Sequence, residues 1–288
     1  MSNPADLQTE DVAFPDLATL APGLVQRDPG LWFARNQAAV SYPPDGNAAC
    51  LTVEDQSFWF RHRNRCIVSM VRRFSPGGGF LDIGGGNGYV AKGLAEAGVA
   101  CALIEPGLDG ALAAHARGID PVICARLEDT DLAPASIAAA GMFDVLEHIE
   151  DEASALRQVN ALLLPGGWLF LTVPAYQFLF SIDDSSAGHF RRYTISSLTR
   201  VLLAAGFRIE FASYMFAPLP PLIFLLRTLP TWFRLHRGTS HERDAAEHIP
   251  SGAAARLMNC LLTAEVKRLR AGRSIPFGGS CLCAAAKA

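Results

Sequence analysis

The feature that most constrains this chain is the run Phe80-Leu81-Asp82-Ile83, followed at once by glycines at 84, 85, 86 and 88. A short apolar run bounded by glycine has the length and continuity of a strand buried on both faces of a parallel sheet. Glycine reaches left-handed backbone angles without steric penalty and lets the main chain approach a ligand closely. From Gly88 the pattern turns helical, with Val90, Ala91 and Leu94 on one face and Gly98 as the stop. Strand, glycine turn and helix are the parts from which an open α/β sheet builds a nucleotide cradle, with free helix N–H groups facing the ligand.

The glycine spacing bears on which nucleotide. A dinucleotide fingerprint requires G-x-G-x-x-G, and counted from Gly84 and Gly86 the third position is Tyr89. The chain reads Asp82-x-Gly84-x-Gly86-x-Gly88 instead, with a carboxylate two residues before the first glycine. A second buried strand, 99–104, ends at Glu105-Pro106-Gly107. Glu105 lies 21 residues beyond Gly84, where an acid accepts hydrogen bonds from ribose hydroxyls. A helix follows from Leu108 to Arg117, then a third strand at 121–124, a fourth at 136–143 and a helix starting at Asp151. An apolar run ends at Pro174, and a further strand runs over 208–215.

Composition narrows the classes. At 288 residues, with half of them hydrophobic and 18% charged, the chain can bury a large core, which excludes wholesale disorder. A net charge of −3 argues against a general nucleic-acid binder. Seven scattered cysteines without a C-x-x-C fit reduced core thiols in a cytoplasmic protein. Met1–Glu10, polar and acidic, lacks the shape of a signal peptide. Met215–Leu226 carries no charge, but it is too short and too rich in proline to span a bilayer. It reads as a buried cap over a pocket or as a contact with a membrane surface or lipid-linked substrate.

Two other stretches invite a site. Residues 1–50 show little periodicity yet carry Phe14, Trp32, Phe33 and Tyr42, and read as a tail or as a lid. The helix expected over 55–73 opens with Trp59-Phe60-Arg61-His62-Arg63-Asn64. Trp59 and Phe60 can wall a pocket, with Arg61, His62 or Asn64 as polar contacts, or the aromatics can simply pack the helix on the sheet. Residues 175–193 form a loop long enough to suggest a function. The charged stretch 236–256 reads as loose.

Four motifs in order carry a resemblance. They are the Asp82–Gly88 turn, Phe143-Asp144-Val145-Leu146-Glu147-His148 before the acidic helix start at Asp151, Leu164-Pro165-Gly166-Gly167-Trp168, and Gly188-His189-Phe190-Arg191-Arg192-Tyr193-Thr194. The chain resembles the class I S-adenosylmethionine (SAM) methyltransferases, in a bacterial small-molecule branch, over residues 55–288 and most clearly 80–215. The resemblance implies a Rossmann-like α/β fold: seven mostly parallel strands with an antiparallel last strand, and helices on both faces. The divisions expected are a cap or lid over 1–75, a SAM-binding core over 76–215, a helical insertion over 216–275 and the last strand over 276–288.

It also implies SAM as cofactor and S-adenosylhomocysteine as product. Asp82, Gly84, Gly85, Gly86, Gly88, Glu105, Pro106, Leu127, Glu128, Phe143 and Asp144 become the cofactor contacts, although Arg126 stands where the family usually has an acid before the adenine contacts. His148 is the candidate general base, Asp144 would orient the acceptor or offset the sulfonium, and His189 competes for the base role. Trp59, His62, Tyr176, His189, Arg191, Arg192 and Tyr193 are the candidate substrate contacts. No ligand-spaced set marks a metal site, although Glu147 beside His148 leaves room for a divalent cation. The acceptor expected by family habit is a hydroxyl of a sugar or secondary metabolite, with N- or C-methylation or a lipid-linked substrate as alternatives. A catalytically silent binding protein of the same fold and an NAD-dependent enzyme are the readings from other classes. The remaining expectations are a small-molecule partner, no nucleic acid, no transmembrane segment, and a monomer or homodimer.

Overall fold

A computed structural model describes residues 14–35, 46–74, 76–232 and 252–288. Met1–Glu10, Tyr42 and the charged stretch 236–251 lie outside the described residues. The strands are β1 (Leu24–Asp28), β2 (Leu31–Ala34), β3 (Phe80–Ile83), β4 (Cys101–Ile104), β5 (Val122–Cys124), β6 (Ile137–Phe143), β7 (Leu163–Pro174), β8 (Phe207–Met215) and β9 (Ser280–Lys287). They form one sheet in the order β1-β2-β5-β4-β3-β6-β7-β9-β8. The six from β2 to β7 in that order run parallel, while β9 pairs antiparallel with both β7 and β8.

The sheet therefore has nine strands, not the seven expected. The extra pair is the antiparallel hairpin β1–β2, which lies in the stretch that shows little periodicity. Gly30, at φ +77°, turns the chain between them, and Leu24, Leu31 and Phe33 are buried. The hairpin covers the three-residue edge strand β5, whose Val122 N–H donates to the Gly30 carbonyl at 2.8 Å. A central strand edge left open would expose unpaired backbone groups.

The parallel strands read as continuous apolar runs because both faces are covered. Successive residues of each strand feed opposite layers. Leu81, Ile83, Leu169 and Leu171 pack with Leu156 and Val159 of α6 (Glu152–Leu162) and with Leu198 and Leu202 of α8 (Ile195–Ala204). On the other face Phe80, Leu103 and Phe170 meet α3 (Phe58–Phe74), α4 (Tyr89–Glu96) and α11 (Gly252–Arg270). The starts of α6 and α8 are fixed by side-chain caps, Asp151 accepting from the Ser154 N–H and Thr194 from Ser197. Five of the seven cysteines are buried.

Strand order reverses at β3, with β4 on one side and β6 on the other. Their carboxyl ends therefore splay apart at the topological switch point, where open α/β sheets bind ligands. Among the described residues no helix is long and apolar enough to cross a membrane.

A row of rings stiffens the layer beneath that point. Phe170 stacks on Phe80 at 5.9 Å and on Trp168 at 6.0 Å, and Phe80 stacks on Phe143 at 6.3 Å. Phe170→Ala leaves a ring-sized hole in this row and is expected to lower stability by about 3–5 kcal/mol. Urea unfolding reads this as a lower midpoint with an unchanged slope.

Candidate active site

The glycine turn is shaped by its backbone. Gly84, Gly86 and Gly88 all have positive φ. A Cβ at Gly84 would lie 2.7 Å from a Val145 methyl, and one at Gly88 would lie 3.0 Å from the Ala114 Cα, so neither position tolerates a side chain without a shift. The turn thus presents bare backbone at the carboxyl end of β3.

Four acids converge on this end of the sheet. Asp82 is 1% exposed, and its Oδ2 finds no hydrogen-bond partner among the described residues. Burial pushes its carboxyl up to about 7, against a pull downward from the Arg63 guanidinium. Glu105, at the end of β4, accepts from the Gly86 N–H at 3.0 Å, the Gly107 N–H at 2.8 Å and the Asn47 amide at 3.2 Å. Burial still raises its pKa.

Asp144 follows β6 with φ +56°, an uncommon backbone for a non-glycine residue. Arg63 of α3 grips this end, its Nε donating to the Asp144 carboxylate and its Nη2 to the Phe143 carbonyl at 2.5 Å. Trp59, one helical turn earlier, lies under the guanidinium at 5.3 Å and stacks on Phe216.

The fourth acid, Glu147, is fully buried on a short 3-10 turn (Leu146–His148), and no other described residue donates to either of its oxygens. Burial, reinforced by the Asp144 charge, raises its pKa well above the carboxylate range. His148 beside it is driven down to about 4 by burial and by His189. The two imidazoles meet edge to face, 4.6 Å apart. His189 Nδ1 is 2.9 Å from Asp184 Oδ1. Burial alone would raise Asp184, but bonds from His189 and Arg192 overcome it and hold the carboxyl well below its usual range.

The structure thus brings Asp82, Gly84, Gly85, Gly86, Gly88, Glu105, Asp144, His148, His189 and Trp59 to one end of the sheet. Phe143 contributes its carbonyl, while its ring lies in the core. Pro106 continues the chain beyond Glu105, its carbonyl 3.9 Å from the Cys124 thiol. Leu127 and Glu128 lie on a 3-10 turn after β5, Leu127 buried and Glu128 exposed and 3.2 Å from Arg126.

The other candidates are occupied in ties. His62 is buried against Glu265 of α11 at 2.9 Å, at the wall of a cavity of about 160 Å³ lined also by Phe58, Arg61 and Leu262. Arg191 pairs with Glu152 at 3.1 Å, Arg192 forks onto Asp184 at 2.7 and 3.0 Å, and the Tyr193 hydroxyl donates to Glu152. Tyr176 stacks on Tyr214 at 5.1 Å.

Sequence reasoning missed Arg63, Asn47 and Asp184 as parts of the site, and it picked out Glu147 only as a neighbour of His148 that leaves room for a cation. Arg63 had one available signal, its i,i+4 spacing from Trp59, which puts both on one helix face.

The methyltransferase domain model matches residues 57–210, more than half of the chain. The chain belongs to the class I SAM-dependent methyltransferase family. It is accordingly a transferase, with SAM as its methyl donor. A probable SAM-dependent methyltransferase of Mycolicibacterium smegmatis is 28% identical over 180 residues, covering 61% of this chain and 69% of the relative. A ubiquinone biosynthesis O-methyltransferase of Bordetella avium is 28% identical over 111 residues, covering 35% of this chain and 46% of the relative, so the chain spans about half of that protein's length. Among solved structures, phosphoethanolamine N-methyltransferase 2 of Haemonchus contortus with SAM aligns at TM-score 0.53 and 18% identity, over 86% of this chain and 58% of that one. The [4+2]-cyclase SpnF aligns at 0.54 and 17%, over 87% and 98%. At these identities the likeness shows the fold.

The chain's own residues fit the cofactor. A bare glycine turn, an unpartnered buried carboxylate oxygen at Asp82 and a ribose-type acid at Glu105 lie together where the neighbouring strands β3 and β4 end.

Asp82 links this end of the sheet to pH. Its folded pKa is raised from 3.8 to about 7, so its contribution to stability is complete below 3.8, is lost as pH rises toward 7 and is constant above. Asp82→Asn is therefore expected to raise the melting temperature at pH 8, by roughly 2–4 °C per kcal/mol relieved. At pH 3.5 it should bring no gain. Calorimetric scans at the two pH values check both.

Proposed function

We propose that the chain transfers the SAM methyl group to a hydroxyl of a small molecule, a sugar or secondary metabolite being the leading class. The observation that carries this is the juxtaposition of the imidazole pair with Asp144, at the switch point where the cofactor crevice ends. SAM would lie with its methionine over Gly84–Gly88 and its ammonium on Asp82. Its ribose would exchange with Asn47 for Glu105, and its adenine would lie toward Leu127 and Glu128.

The acceptor oxygen then attacks the methyl carbon in line as the carbon–sulfur bond breaks, and the sulfonium becomes a neutral thioether. Alignment and exclusion of water supply most of the rate. The hydroxyl must also give up its proton, and the imidazoles are the groups at hand. His189 is backed by the Asp184 carboxylate, whereas His148 is neutral but a weak base. The loop carrying Arg191, Arg192 and Tyr193 holds His189 in place, and Trp59 offers the acceptor an apolar wall.

Oxygen as the accepting atom is supported by the Bordetella relative's name. A lipid-linked acceptor is the second reading, favoured by exposed Leu222, Leu225 and Leu226 on the helical turns that follow β8. A silent binding protein would need none of the imidazole arrangement.

Calorimetric titration with SAM, S-adenosylhomocysteine and NAD tests the cofactor contacts. Micromolar binding of the two sulfur nucleosides and none of NAD is expected. Glu105→Ala should weaken it about 10- to 100-fold, the range for a hydrogen bond to a charged group. Unchanged affinity in Glu105→Ala would remove that residue from the site. Transfer of labelled methyl from SAM to hydroxyl acceptors then separates an enzyme from a silent binder.

A further inference from the structure

We infer that Glu147, His148 and His189 form a divalent-metal site, and that the ion binds the acceptor hydroxyl. One donor atom from each of the three lies within 4.8 Å of the other two. Metal bonds of about 2.1 Å to nitrogen and oxygen put donors up to roughly 4.2 Å apart, so small side-chain rotations close the set.

Three further observations point to an ion rather than to packing. Glu147 is 0% exposed, and no other described residue donates a hydrogen bond to either of its carboxylate oxygens, its own backbone N–H being the donor at hand. A buried carboxylate in that state is strongly unfavourable unless a cation or proton meets it. His189 has its far side fixed. Its Nδ1–H donates to Asp184, which leaves the Nε2 lone pair for a ligand. Asp184 is itself clamped by the Arg192 fork and the Ser181 N–H at 2.8 Å. Carboxylate, imidazole and metal in line is how proteins orient metal-binding histidines. Finally, the Phe190 N–H donates to the Glu147 carbonyl at 2.8 Å, which pins the His189 loop against the turn that carries the other two donors.

Two imidazoles and one carboxylate suit Zn²⁺, Fe²⁺, Co²⁺ or Mn²⁺ better than Ca²⁺. One carboxylate offsets half of the ion's charge, so the site keeps an attraction for an oxyanion and open positions to take it. This rests on the O-methylation reading. The acceptor hydroxyl would lose its proton to water on coordination, and the resulting metal-bound oxygen would attack the methyl carbon as the carbon–sulfur bond breaks onto sulfur. His148 and His189 are then ligands, and no side chain need act as the base.

The test uses the full chain, stripped with chelator and titrated with Co²⁺ alone while its visible absorption is recorded. One equivalent is expected to bind and give a ligand-field band, which Zn²⁺ abolishes and which acetohydroxamate, an oxygen-donor anion, shifts. Glu147→Gln and His189→Gln should each weaken cobalt binding at least tenfold while S-adenosylhomocysteine binding stays within twofold. Should Glu147→Gln not fold, the more exposed His189→Gln carries the comparison. No band at millimolar Co²⁺, or equal binding by the variants, overturns the site. Retained S-adenosylhomocysteine binding in that case leaves the methyltransferase reading standing.

Discussion

A single buried guanidinium makes the acidic end of this sheet tenable. Arg63 reaches from α3 to the end of β6, where it neutralises Asp144 and takes up the Phe143 carbonyl. Its charge also draws down Asp82, Glu147 and Glu54 against the burial that pushes them up. Without a cation at that point, several carboxylates would sit together in low dielectric, each raising the others. The packing of α3 onto Phe80 and Phe170 is therefore also what positions the charge. Core and site share one helix.

The site is built in two halves, each held by its own set of bonds. The half formed by the turn after β6 and the His189 loop is cross-tied through Asp184, Arg192, Glu152 and Tyr193. The other half is closed by α2 (Gly46–Val53), whose Asn47 bonds Glu105 and accepts from Asn87 through its carbonyl. Glu54, just beyond α2, takes Asn87 at 3.1 Å and Arg117 at 2.8 Å. The acid that suits a ribose is thus already satisfied by protein donors, so a nucleoside arriving there exchanges partners and does not fill an unsatisfied group.

What was legible in the sequence follows from which forces are local. The glycine turn, the buried strands and the alternation of helices with strands could be read because each writes its pattern within a dozen residues. The β1–β2 hairpin could not, since what makes those residues strands is pairing with β5, about ninety positions away. In α3 three basic side chains and an asparagine fall within five residues of Trp59, and only the tertiary structure selects Arg63 for the site and turns His62 to Glu265, 203 residues on. Glu147 and His148 were visible as a motif. The depth of Glu147 and its lack of a donor from another described residue were not, because both depend on a loop that arrives some forty residues later.

The hairpin has one more effect, on how molecules of this protein meet each other. With β5 covered, the outermost strands of the sheet are β1 and β8. Gln26, Arg27 and Asp28 are exposed along β1, and an Arg208–Glu210 ion pair sits on β8. Charged and polar side chains on terminal strands discourage one sheet from continuing into another. A hairpin outside the cofactor crevice thus serves colloidal behaviour: the apolar parallel strands that make this fold prone to aggregate are enclosed at both ends by edges that repel addition.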